Sequence, residues 1–348
     1  MIKIDDNVDD GVDVDNLAVQ HFENLVGKLL NNGVNYHARN SLVQRIRNRK
    51  LIDAALPDQA RVDFWDYLLD NNFQNLRRVV TGRPEVLKQV LSEIELLCGP
   101  GFFSNDIDYN GAQLTDFGVI VRDIFNYRAY RDSQHCHDNC SGLGLSFCPY
   151  CNLGETQVIS VINNLLGEEL NKALLQLDHF YPQVRHPYFA VSFFNLIPGC
   201  SICNAVLKLE KRFDIDTHFN PYQKRLNDYF AFELSNFLIE ERNDIEIIYK
   251  NKQEYPPNAL IDFRIMERYK SNAVTRVAFR QFQSLKHHSP KIRRSLRSQF
   301  FDLFRADSQK LLLLENLDVP LSDQEINEVY LGKLKRDIAK QMGLILEP

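Results

Sequence analysis

Apolar residues recur at three- and four-residue spacing between Leu17 and about Leu97, at Phe22, Leu25, Val26, Leu29 and Leu30 and again at Val86, Leu87, Val90, Leu91, Ile94 and Leu97. That period gathers them on one face of amphipathic helices. Pro57, Gly82-Arg83-Pro84 and Gly99-Pro100-Gly101 punctuate the region as turns and helix ends. A further helix is predicted from Thr115 to about Arg131, carrying Phe117, Val121, Ile124, Phe125 and Tyr130. Between 133 and 222 the pattern changes to cysteines, histidines, short β-prone runs and turn residues, with one helix expected from Val158 to about Leu175. Helical spacing returns after Pro221, interrupted at Tyr255-Pro256-Pro257 and Ser289-Pro290, and a last helix is expected from about Ser322 to Met342. No repeat or low-complexity tract occurs. The pattern predicts a mostly α chain with a small central α+β module. Its divisions are an acidic, disordered leader at 1–14, an N-terminal helical region at 15–132, the central module at 133–222 and a C-terminal helical region at 223–348.

Composition adds little to this picture: 348 residues, 44% hydrophobic and 25% charged, suit a globular chain with a real core. Leu311 to Leu314 is a four-residue apolar run, far short of the roughly 18–20 residues that a membrane helix needs. The opening Met1-Ile2-Lys3-Ile4-Asp5-Asp6 has no basic segment followed by an apolar one, so a cytoplasmic protein without a membrane span is expected. Charge changes the picture more. The net value is −5, but six aspartates fall between Asp5 and Asp15, and twelve Lys or Arg face three acidic residues between Arg264 and Lys310, a local charge of +9. Phosphate responds to the local field, so this stretch, with Arg293, Arg294 and Arg297, is the expected DNA-binding surface. Arg45, Arg47, Arg49 and Lys50 form a second basic cluster, read as a solvated helix face.

Four of the seven cysteines form two matching pairs, Cys148-x-x-Cys151 and Cys200-x-x-Cys203. Such knuckles present four thiolates to one tetrahedral zinc at about 2.3 Å, although the 48 residues between them exceed ordinary zinc-ribbon spacing. His135, Cys136, His137 and Cys140 lie too close together to close a second tetrahedron and are read as a loop. Between the knuckles, Asp178 and His179 leave an apolar strand for a Tyr-Pro turn. Asp178 is a hard oxygen ligand suited to Mg²⁺ or a similar cation, and His179 is a natural general base near neutral pH. Asn195 can brace a loop through backbone hydrogen bonds, and Asn204, after the second knuckle, can offer a second oxygen to the metal.

Together these residues resemble the HNH endonuclease superfamily, the ββα-metal fold in its zinc-knuckle form. The resemblance spans roughly Phe147 to Lys208, under a fifth of the chain. It implies structural zinc on Cys148, Cys151, Cys200 and Cys203, His179 as general base, Asp178 as a metal-binding carboxylate and Asn195 as the central asparagine that orients the base. Asn204 stands where the motif's final histidine is expected; this departure keeps an oxygen ligand for a catalytic Mg²⁺ or Mn²⁺. Ile124-Phe125-Asn126-Tyr127-Arg128-Ala129-Tyr130 and Thr217-His218-Phe219-Asn220-Pro221-Tyr222 are similar to sequence flanking the HNH core in bacterial anti-phage nucleases, nearest to the HNH component of Septu-type defence systems. That likeness implies a DNA-cutting effector acting with an SMC-like ATPase partner, with an oligomer possible through that complex. Lys208, as a phosphate contact, and His218, as an extra ligand or a packing group, are further candidates. The competing readings are an HNH-type zinc scaffold that serves as an adaptor and a nuclease directed at RNA.

Overall fold

Ile2 and Ile4 are both buried, and the Ile4 N–H donates to the Pro221 carbonyl at 2.8 Å. The computed structural model describes residues 2–6, 8, 12–31, 34–108, 111–163, 167–235, 245–250, 257–286 and 315–345. Within the leader, Ile2–Asp6 is therefore docked where disorder was expected. Its aspartates meet arginines from distant segments: Arg83 pairs with Asp5, and with Asp15 just beyond the leader, and Arg225 pairs with Asp6. An acidic composition reads as disorder only while its counter-charges are out of sight.

The predicted N-terminal helices form as α1 (Val14–Val26), α2 (Leu42–Asp53), α3 (Gln59–Thr81) and α4 (Pro84–Cys98). Asp13 and Ser41 cap α1 and α2 by accepting backbone N–H groups, and Pro84 opens α4 at a position that needs no donor. Gly27, in the left-handed region at φ 56°, stops α1, and the chain turns into an antiparallel hairpin, β1 (Lys28–Asn31) with β2 (Val34–His37). Leu29 and Leu30, read as helical, thus lie in a strand. Arg49, placed on a solvated face by its neighbours, instead reaches Asp53 at 2.5 Å, a buried carboxylate that also accepts the Trp65 indole N–H at 2.7 Å.

After the short pair β3 (Ser104–Asp108) and β4 (Gly111–Leu114), the predicted 115–131 helix is split. Asn126 sits at φ 47° between α5 (Asp116–Phe125) and α6 (Tyr127–Arg131) and caps the second through Ala129. The Cys/His segment read as a loop is helix α7 (Gln134–Gly142), capped by Ser133; Cys136 and Cys140, one turn apart, both face the core. The helix expected from Val158 to Leu175 is instead a hairpin, β5 (Val158–Asn163) with β6 (Glu168–Ala173). Val158, Ile159, Val161 and Ile162 are β-branched, and Gly167 takes φ 68°, a combination that favours strand–turn–strand over helix.

Next come β7 (Gln176–His179) and β8 (Leu196–Gly199), antiparallel with Asp178 opposite Ile197 and His179 opposite Leu196, followed by a seven-residue π-helical segment, Ile202–Lys208. The C-terminal region contributes β9 (Phe230–Leu234), β10 (Ile245–Tyr249), α8 (Pro257–Asp262), α9 (Ile265–Tyr269) and α10 (Asn272–Leu285). The last predicted helix is realised only over Gly332–Gln341, behind a 3₁₀ turn at Gln324–Glu328. Gly332 is pressed against the Ile326 carbonyl so closely that a Cβ there would stand 2.4 Å from it. This helix buries Leu334 and Ile338, together with the ion pair Lys333–Asp337 at 2.8 Å. All five sheets among the described residues are two-stranded, so the chain is mostly α with small β elements. Among the described residues no helix is long and apolar enough to cross a membrane. Arg293, Arg294 and Arg297 lie outside the described residues.

Candidate metal centre and cleft

Two tight turns build the cysteine site. In the first, the Cys148 N–H donates to the Gly154 carbonyl at 2.8 Å, and the N–H groups of Cys151 and Asn152 both return to the Cys148 carbonyl. Asn152 takes φ 52°, which bends the chain back. In the second, β8 delivers Cys200, and the Asn204 N–H donates to the Cys200 carbonyl at 3.1 Å to start the helical segment. All four Sγ atoms lie within 4.8 Å of one another and all four residues are buried. Cys151 and Cys200 sulfurs stand 3.8 Å apart. A disulfide requires about 2.05 Å, whereas a tetrahedral ion with Zn–S bonds of about 2.3 Å sets its sulfurs roughly 3.8 Å apart. The four cysteines therefore form a buried group that could hold a metal ion such as zinc.

The C-terminal region locks this group from outside. Arg268 donates from its two terminal nitrogens to the Cys203 and Cys151 sulfurs, both at 3.3 Å, and the Tyr269 hydroxyl donates to the Cys151 carbonyl at 2.8 Å. Asn152 donates its amide to the Ile326 carbonyl and accepts the Lys333 N–H. Four thiolates holding a dication would carry excess negative charge, and Arg268 is placed to offset it. Arg268→Met is expected to speed metal loss to a chelator by roughly 10–100-fold, the usual penalty for removing a group that supports metal ligands. The release rate, followed by the chelator's absorbance, checks this; an unchanged rate would reduce Arg268 to packing.

A cleft of about 310 Å³ opens beside the knuckles, and Asp178, His179, Asn204 and Lys208 all line it, with Arg122 and Glu210. The β7–β8 ladder places Asp178 and His179, and the helical segment brings Asn204 and Lys208 over them. Asp178 is buried: its Oδ1 accepts from Lys208 Nζ at 2.8 Å and its Oδ2 from the Tyr150 hydroxyl at 2.7 Å. Burial, then the adjacent Asp178 charge, pushes the Tyr150 hydroxyl well up, which keeps it a donor. The His179 ring packs edge-on against Tyr127 at 4.5 Å, and its Nε2 is 3.0 Å from the Ala190 carbonyl. Burial pushes this imidazole down to about 4 against the opposing pull of that carbonyl and of Asp178, so it is neutral near pH 7. A neutral ring donating from Nε2 keeps its lone pair on Nδ1.

Asn195 does not enter the cleft. It is fully buried, accepts the Tyr181 N–H at 2.7 Å and donates to the carbonyls of Tyr181 and Phe189 at 3.1 and 3.2 Å. It thereby pins both ends of the loop whose Ala190 carbonyl holds His179. Asn204 donates to the Gln176 side-chain oxygen at 3.0 Å. Lys208, read as a phosphate contact, turns inward instead, to Asp178 and the His179 carbonyl. His218 is not in the cleft lining: its ring stacks on Phe213 at 3.9 Å and its Nε2 faces Asp262 at 3.2 Å. Sequence reasoning singles out none of Tyr150, Ala190 and Arg268 as site residues. Tyr150 at least sits inside the first knuckle, but nothing local marks Arg268. Compared with known proteins, the chain matches no family model, no curated protein and no solved structure at a significant level.

Proposed function

We propose that the chain is a metal-dependent HNH-type endonuclease. The observation that carries this reading is the convergence of Asp178, His179 and Asn204 on one open cleft, built by an antiparallel strand pair and a following helix beside a four-cysteine group. The donor set suits a hard divalent cation such as Mg²⁺ or Mn²⁺. The two Asp178 oxygens each accept one protein donor and retain lone pairs, and Asn204 uses its amide N–H on Gln176, which leaves its oxygen. When bound there, such an ion supplies Lewis-acid stabilisation of the scissile phosphate and the leaving oxygen. Neutral His179 takes the proton of an attacking water, and the Ala190 carbonyl fixes the ring for that task. Asn195 keeps that carbonyl in place from the far side of the loop. Zinc on the four cysteines holds the strand pair and the helix together. Arg122, which also lines the cleft and pairs with Asp123, supplies a cation there for a polyanionic substrate.

The expected substrate is DNA, with the chain acting as the nuclease of a bacterial defence system beside an SMC-like ATPase. Two observations favour the adaptor reading instead: Lys208 already pairs with Asp178, and Asn204 stands in place of a histidine. Supercoiled plasmid and a structured RNA should be offered together in Mg²⁺ or Mn²⁺, with and without the ATPase and nucleotide. Plasmid nicking that stops with EDTA is the expected result. RNA cleavage alone would move the substrate, and inertness towards both polymers with the partner present would leave the scaffold.

A further inference from the structure

Lys208 is unusual among the residues that line the cleft. Its Nζ lies 2.8 Å from Asp178 Oδ1 and 2.5 Å from the His179 carbonyl, and 4.9 Å from the centre of the Phe213 ring. Both side chains of the ion pair are only 1% exposed, and the Tyr150 hydroxyl takes the other carboxylate oxygen. Glu210 stands exposed at the rim, so Asp178 is the buried carboxylate of the cleft, and it is already matched by a full positive charge. The other candidate ligand, the Asn204 oxygen, is neutral, and so is the neighbouring His179. An ammonium and a dication sharing one poorly solvated carboxylate repel each other strongly. The lysine also has a place to go: the His179 carbonyl and the Phe213 face would still hold it after Asp178 is released.

Resting on the reading of the cleft as a divalent-cation site, we infer that Lys208 is the resident counter-ion of Asp178, which an incoming divalent cation must displace, so that this lysine sets the metal affinity of the cleft. Lys208 is thus a positioning residue that acts through Asp178.

Mn²⁺ binding to the zinc-loaded full chain, followed by the paramagnetic resonance of free Mn²⁺ without any nucleic acid, tests this. Lys208→Met is expected to bind Mn²⁺ roughly tenfold or more tightly than wild type, and Asp178→Asn to lose that binding. Equal or weaker binding by folded Lys208→Met overturns the proposal, as does the absence of Asp178-dependent binding in both proteins. Removing the ammonium strands a buried carboxylate, so a second measurement uses wild type alone. Amine labelling at Lys208, read by mass spectrometry, should rise several-fold when Mn²⁺ is added, and a flat response overturns the proposal equally. Neither measurement involves cleavage. A chain that shows the competition but cuts no polymer would therefore sink the nuclease reading alone.

Discussion

His179→Ala is expected to abolish nicking of plasmid DNA in Mg²⁺ or Mn²⁺ while leaving the melting temperature near that of wild type. A positioned general base contributes roughly 10²–10⁴-fold, enough to remove nicking from a standard gel assay. The structural loss is small by comparison. His179 gives up one hydrogen bond to the Ala190 carbonyl and an edge-on contact with Tyr127. A single such bond is worth about 1 kcal/mol, and the carbonyl left behind can be met by water entering the open cleft. Asn195 still pins the loop through Tyr181 and Phe189. Activity, not folding, should therefore carry the effect. A purified variant that cuts as well as wild type would remove His179 from the chemistry.

The second large effect concerns the cysteine group. Elemental analysis should find about one zinc per chain, and Cys200→Ser should lose it together with much of the melting temperature. Structural zinc contributes ~10 kcal/mol or more to small domains, as much as the whole stability of an ordinary one. Here the loss would also spread. Asn152 and the Cys151 carbonyl, both in the first knuckle, are the points where Ile326, Lys333 and Tyr269 of the C-terminal region attach. Loosening the knuckle thus undocks helices more than a hundred residues away in sequence. A metal-free preparation that melts at the wild-type temperature would refute an integral zinc.

Local rules made several parts of this protein legible in one dimension. The N-terminal helices follow from apolar periodicity together with the punctuation at Pro57, Gly82-Arg83-Pro84 and Gly99, because a helix completes its hydrogen bonds within a few residues of itself; the stop at Gly27 did not register, since Leu29 and Leu30 continue the same apolar period. The two CxxC pairs announced their grouping by spacing, since two thiolates three residues apart already share one turn. Asn195 was expected as a brace and makes three hydrogen bonds of that kind. The hairpin at 158–173 was misread because short β-branched runs carry both periods equally well, and only pairing with a neighbour decides between them.

Other features depended on groups far apart in the chain. The leader reads as disordered until Arg83 and Arg225 arrive beside it, and Arg268 reads as one of many basic residues until it meets the Cys151 and Cys203 sulfurs. Lys208 is the clearest case. From its place after the second knuckle it belongs on a solvated face, where it would meet phosphate. The tertiary structure turns it inward because Asp178, some thirty residues earlier, is buried against Tyr150, where a polar group needs a close partner. Spacing along a chain records which side chains share a turn. Which charges must share a low-dielectric interior is decided only when distant segments close over them.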